Sequence, residues 1–119
     1  MIRLSDAEWK IISRIWENGS MTITDLTKSL KDETGWSKNS IITMLNRMES
    51  KDAVYYVQEE RAKRFYAKIS REEAELEETT SFLDKVYNGS VGLMISNLIK
   101  SDKLSSEDIE ELHKLLEDN

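Results

Sequence analysis

The spacing of apolar residues changes period twice along this chain, and few folds accommodate that order. Up to Ser50 apolar side chains recur at the 3.6-residue period of a helix. From Val54 to Ile69 they follow the two-residue period of a strand, and beyond Ser70 the helical period returns. Ser5 with Glu8 three residues on has the form of a capping box. Behind it Leu4, Ile11, Ile12, Ile15 and Trp16 share one face of a first helix, which Asn18 and Gly19 end. A short extended stretch, Met21 to Ile23, leads to a second helix capped by Thr22 or Thr24, carrying Leu26 and Leu30 and ending near Gly35. Ser37 caps a third, in which Ile41, Met44, Leu45 and Met48 form one buried stripe. The second and third helices, joined tightly, are a helix-turn-helix candidate. Val54 to Glu59 and Arg64 to Ile69, rich in β-branched and aromatic residues, read as a hairpin connected through Glu60, Arg61, Ala62 and Lys63. Three helices followed by a hairpin is the outline of a winged helix. A small α+β domain with no binding role shares the same elements.

The chain beyond Ser70 is helical in pattern. Ser70 with Glu73 forms a second capping box ahead of Leu76, Phe82, Leu83 and Val86, and Asn88 and Gly89 break that helix. Val91, Leu93, Met94, Ile95, Leu98 and Ile99 then make a short segment apolar on nearly every side, which a stable fold must bury all round. Ser105 with Asp108 starts a last helix bearing Ile109, Leu112, Leu115 and Leu116. So short a run of helices is marginal as a core of its own, and a second copy of the chain is the simplest cover. The expected fold is mainly α with a small β-hairpin wing: a winged helix-turn-helix domain over residues 1–70 and a C-terminal helical dimerisation module over residues 71–119. The dimerisation residues expected are Phe82, Val91, Met94, Ile95, Leu98, Ile99, Ile109, Leu112, Leu115 and Leu116.

Charge divides at the same place. Residues 1–70 hold 12 basic and 10 acidic side chains, net +2, whereas residues 71–119 hold 5 and 13, net −8. The acidic half is unsuited to lie on a polyanion, and the first half can do so where its positive charge is focused. With no Cys, the chain has no disulfide, Cys-type zinc site, iron–sulfur ligation or thiol catalysis. A single His, His113, leaves no His-pair metal site and argues against a Ser-His-Asp centre; its place on the last helix suits a surface or interface side chain. No cofactor and no metal are expected. No apolar run approaches the ~18 residues of a membrane span and residues 1–5 do not begin a signal peptide, so a cytoplasmic protein without membrane insertion is expected.

The third helix carries the chemistry. Opposite its apolar stripe lie Asn39, Thr43, Asn46 and Ser50, with Arg47 and Ser40 on one edge and Ile42 on the other. Such short hydrogen-bonding groups and a guanidinium suit base edges in a major groove: Asn pairs with adenine, Arg with guanine, and Thr or Ile methyls meet thymine methyls. An ordinary solvated face favours Glu and Lys, and this one is nearly free of carboxylates apart from Glu49 on its flank. Ser37, Lys38 and the first-turn amides suit a phosphate. On the wing, Arg61, Lys63 and Arg64 suit the DNA backbone, although Glu59 and Glu60 oppose that and the charges also serve to block edge pairing.

The order of motifs resembles the penicillinase-repressor family (BlaI/MecI type) over nearly the full length. The resemblance is carried by Leu4-Ser5-Asp6-Ala7-Glu8-Trp9, Gly35-Trp36-Ser37, Ser40-Ile41, Thr43, Phe65-Tyr66, Ser81-Phe82-Leu83-Asp84, Gly89-Ser90, Leu104-Ser105 and Glu107-Asp108-Ile109-Glu110-Glu111-Leu112. It implies a homodimeric winged-helix repressor of an inverted-repeat operator in double-stranded DNA, controlling β-lactam-resistance, copper or other genes. The copper branch uses a C-terminal Cys cluster, and this chain has no Cys. In the β-lactam branch a membrane sensor-protease system leads to cleavage at an Asn-Phe bond, and the matching pair here is Asn97-Leu98. Two further departures are Ile42, where the family often has a basic residue, and Lys38-Asn39, where it often has Pro-Lys. Two alternatives stand beside this reading: a winged-helix repressor relieved by a small ligand, and a winged-helix module that binds protein. An enzyme is the class least supported, since the four glycines, at 19, 35, 89 and 92, make no phosphate-cradling loop and no spaced carboxylate pair stands out.

Overall fold

A computed structural model of the chain describes residues 2–118. The order is α1 (Asp6–Asn18), β1 (Met21–Thr22), α2 (Ile23–Thr34), α3 (Lys38–Ser50), β2 (Val54–Gln58), β3 (Lys63–Ala67), α4 (Arg71–Tyr87), α5 (Val91–Lys100) and α6 (Ser106–Glu117). Local chemistry sets most of these boundaries. Ser5 caps α1 reciprocally with Glu8, and Thr22, not Thr24, caps α2 reciprocally with Asp25. Gly35 ends α2 at φ 68°, a left-handed conformation, and its N–H donates to the Lys31 carbonyl at 2.8 Å. Two residues later Ser37 caps α3, its hydroxyl accepting from the Ser40 amide at 3.2 Å.

The hairpin belongs to a three-stranded antiparallel sheet of order β1-β3-β2. Met21 pairs with Phe65 and Tyr56 pairs with Phe65 from the other side, so the extended stretch after α1 is a third strand. That strand spans only two residues, because Ile23 already belongs to α2. β2 stops at Gln58, short of Glu59, and β3 runs from Lys63 to Ala67, so Lys63 is a strand residue and Ile69 is not. Glu59 closes the turn, its N–H donating to the Ala62 carbonyl at 2.8 Å. One sheet face turns Val54 and Phe65 into the core. The other carries Tyr55 stacked on Tyr66 with ring centroids 5.2 Å apart.

The core gathers Ile11, Ile12 and Ile15 from α1, Leu26 and Leu30 from α2, and Ile41, Leu45 and Met48 from α3, closed by Met21, Val54, Phe65 and Ile69. Met44 packs against it only partly buried. This is a winged helix-turn-helix, with α2 and α3 forming the helix-turn-helix and β2–β3 the wing.

The chain divides into two compact units, one running to Glu78 and the other beginning at Thr79, whereas the expected domain boundary lies at the N-terminus of α4. The first turns of α4 bury Ala74 in the first unit, and the Trp16 indole N–H donates to the Ile69 carbonyl at 3.1 Å just ahead of them. The Ser70–Glu73 box differs from the expected form: Ser70 accepts from the Glu73 amide, but the Glu73 carboxylate takes the Ser70 hydroxyl rather than its backbone N–H. In the second unit the α4–α5 turn places Asn88 at φ 50° and Gly89 at φ 83°. No residue of α5 or α6 is buried within the single chain; Leu93 is 61% and Leu116 75% exposed. The burial expected around α5 is therefore not supplied by its own chain.

Candidate nucleic-acid interface

Because α3 is anchored by Ile41, Leu45 and Met48 on one side, its opposite side is fixed outward. Asn39, Thr43, Asn46 and Ser50 are exposed there, as are Ser40 and Arg47 along one edge, and Ile42 is half-buried on the other. The two hydroxyls on this face are turned inward. Thr43 donates to the Asn39 carbonyl and Ser50 to the Asn46 carbonyl, both at 3.0 Å. Each hydroxyl has thus committed its proton to the helix backbone, which leaves Thr43 its methyl and an acceptor lone pair for a partner. Asn39, Asn46 and Arg47 have no side-chain hydrogen bond or ion pair to other described residues. Thr43, Arg47, Asn39 and Ser40 also line a shallow depression with Ala7, Trp36 and Met44.

At the N-terminus of α3 the Ser37 hydroxyl is used twice, accepting from the Ser40 amide and bonding the Ser40 hydroxyl at 3.1 Å. Helix geometry leaves the amides of Lys38 and Asn39 without intrahelical acceptors. The Lys38 side chain is exposed beside them.

The wing separates its three cations. Arg61 is exposed at the tip. Lys63 holds its ammonium 4.3 Å from the centre of the Tyr56 ring. The Arg64 guanidinium is turned back, its Nε donating to both Glu59 oxygens at 3.1 Å and its Nη1 to Ser20 at 3.4 Å. Glu59, which opposes a polyanion in the bare sequence, is thereby neutralised locally by Arg64.

One pair beside α3 has no counterpart among the expected site residues. Lys51, directly after the helix, reaches the carboxylate of Glu8 at 2.8 Å. Burial by itself would push the Glu8 carboxyl up, but the Lys51 ammonium and the Ser5 amide and hydroxyl together hold it below the ordinary 4.5. A capping Glu reads as a surface residue in sequence, and its partner lies 43 positions away, so no local pattern marks the pair.

Unit two presents Phe82, Val91, Ile99, Ile109, Leu115 and Leu116 as exposed apolar side chains, with Met94, Ile95, Leu98 and Leu112 half-buried. Asn97 and Leu98 lie inside α5: the Asn97 amide donates to the Tyr87 hydroxyl at 3.0 Å, and the Asn97 carbonyl accepts from the Ser101 hydroxyl at 3.0 Å. Among the described residues no group of three or more Asp, Glu or His could hold a metal ion, and no helix is long and apolar enough to cross a membrane.

Known proteins resemble the chain in sequence and in shape. The penicillinase repressor family profile matches residues 4–118. The penicillinase repressor of Bacillus licheniformis is 32% identical over 117 residues, covering 98% of this chain and 91% of that protein. The methicillin resistance regulatory protein MecI of Staphylococcus aureus is 23% identical, covering 95% and 92%. Among solved structures, the B. licheniformis BlaI monomeric form in complex with the blaP half-operator matches with a TM-score of 0.54 at 29% identity, over 60% of this chain and 88% of that one. MarR from E. coli, at 18% identity and a TM-score of 0.54 over 97% and 76%, shares the fold.

Proposed function

The chain belongs to the penicillinase repressor family, and on that footing we propose that it is a homodimeric DNA-binding repressor of an inverted-repeat operator. The observation that carries this reading is the outward face of α3. Four short polar side chains and the flanking Arg47 are exposed there with no carboxylate among them, on a winged helix whose relative BlaI is solved with a half-operator. Asn46 and Arg47 read base edges, with Asn39, Ser40, Ile42 and Thr43 beside them; the Thr43 methyl suits a thymine methyl because its hydroxyl is folded back. Ser37 and Lys38 at the helix start and Arg61, Lys63 and Arg64 on the wing face the phosphate backbone, Arg64 contributing least because its guanidinium is already bonded to Glu59.

The second unit pairs two copies through the apolar side chains of α5 and α6, since a largely apolar helix left exposed in one chain gains most by covering its equivalent in another. Regulation is of β-lactam-resistance type, with a sensor-protease system acting upstream and the Asn97–Leu98 bond as the point of relief. Cleavage there splits α5 and detaches α6, removing apolar cover from the dimer without touching α3. The function is tested by selecting duplexes from a random-sequence library with the full chain and comparing Asn46→Ala and Arg47→Ala on a selected and a scrambled duplex. Each variant is expected to lose ~1–3 kcal/mol on the selected duplex and far less on the scrambled one. Equal losses on both would mean that α3 does not read sequence.

A further inference from the structure

Resting on the DNA-reading function above, we propose that Lys51 is a positioning residue for recognition: held by Glu8 and by the Arg3 carbonyl, it fixes the last turn of α3, from which Asn46 and Arg47 project. Lys51 is basic and adjoins the recognition helix, so a phosphate contact would be its obvious use. Its ammonium instead faces inward, 2.8 Å from Glu8 Oε1 and 2.8 Å from the Arg3 carbonyl. Glu8 is 2% exposed, and the same oxygen accepts the Ser5 amide at 2.8 Å. A carboxylate so buried keeps its charge at the cost of desolvation and requires a cation in place.

The other partner is equally fixed. The segment before α1 is tied at its start, where the Ile2 N–H donates to Glu77 at 3.1 Å. Arg3 therefore lies between two anchors, Ile2 on Glu77 and Ser5 on Glu8. Lys51 in turn holds the helix through its backbone, its N–H donating to the Arg47 carbonyl at 3.2 Å. Arg47 is thus one hydrogen bond from a residue whose side chain is locked to α1 and to the segment ahead of it. A recognition helix contacts several bases at once, so a small rotation of its final turn costs base contacts while leaving phosphate contacts nearly intact.

The test uses the full chain, a duplex that it selects from a random-sequence library, and a scrambled duplex of the same length. Glu8→Gln keeps the side-chain size and an acceptor for the Ser5 amide but removes one negative charge. If charge alone mattered, it would tighten binding to both duplexes by one factor. The positioning role gives a different result: affinity for the selected duplex falls about tenfold while affinity for the scrambled one holds or rises. Lys51→Met lowers the same ratio, and Lys51→Arg restores most of it because a guanidinium can bridge the same two oxygens. Lys51 is 33% exposed in its side chain, so its variants provide the test where Glu8→Gln does not fold. An unchanged ratio in a folded variant overturns the proposal. A wild-type chain that selects no duplex over a scrambled one overturns the DNA-reading function itself.

Discussion

The three wing cations differ in what the fold has already asked of them. Arg64 bonds Glu59 and Ser20, and Lys63 sits over the Tyr56 ring, whereas Arg61 stands exposed at the tip without an ion pair among the described residues. A guanidinium that must first leave a carboxylate gains less from a phosphate than an uncommitted one. Arg61→Ala is therefore expected to reduce the slope of log K against log salt by roughly 0.9, and Arg64→Ala to change it much less. Binding titrations across a series of salt concentrations check this, and a larger change for Arg64 than for Arg61 would reverse the assignment.

Among elements, the turn between α2 and α3 sets where α3 points. It spans only Gly35, Trp36 and Ser37, and Gly35 holds φ 68°. A Cβ built there would meet no atom within 4 Å, so Gly35→Ala pays for the left-handed backbone alone, about 1–2 kcal/mol. Denaturant unfolding should show that loss, and an unchanged midpoint would show that the turn relaxes freely. This turn was legible from sequence, as were the caps Ser5, Ser37 and Ser105, because each is a local pattern a few residues long. The outward face of α3 was legible for the same reason, since a 3.6-residue period separates Ile41, Leu45 and Met48 from Asn39, Thr43 and Asn46. β1 shows in the sequence only as an extended stretch and not as a sheet strand, because two residues have no period and its partner, Phe65, is distant in sequence. The Glu8–Lys51 pair and the Arg64–Glu59 pair escaped as well: which charge meets which is decided by how α1, α3 and the hairpin pack.

For the whole molecule, the proposed function gives the two units different tasks, DNA reading to the first and pairing of two copies to the second. The first unit has a core of its own, and the second leaves Leu93, Ile99 and Leu116 exposed within one chain. A chain ending at Asn97 is expected to keep the first unit folded, to sediment as a weakly associating species, and to bind a selected duplex poorly. A tight dimer with full affinity would favour relief by a small ligand instead. Tethering two heads makes the second contact intramolecular and raises affinity by a factor on the order of 10²–10⁴ with no new kind of contact. Joint binding of two half-sites by one dimer is measured by the affinity of the full chain for an inverted-repeat duplex, against the same duplex with one half-site scrambled. Scrambling is expected to cost at least about a hundredfold in affinity. Equal affinity for the two duplexes would mean that each chain binds a half-site alone.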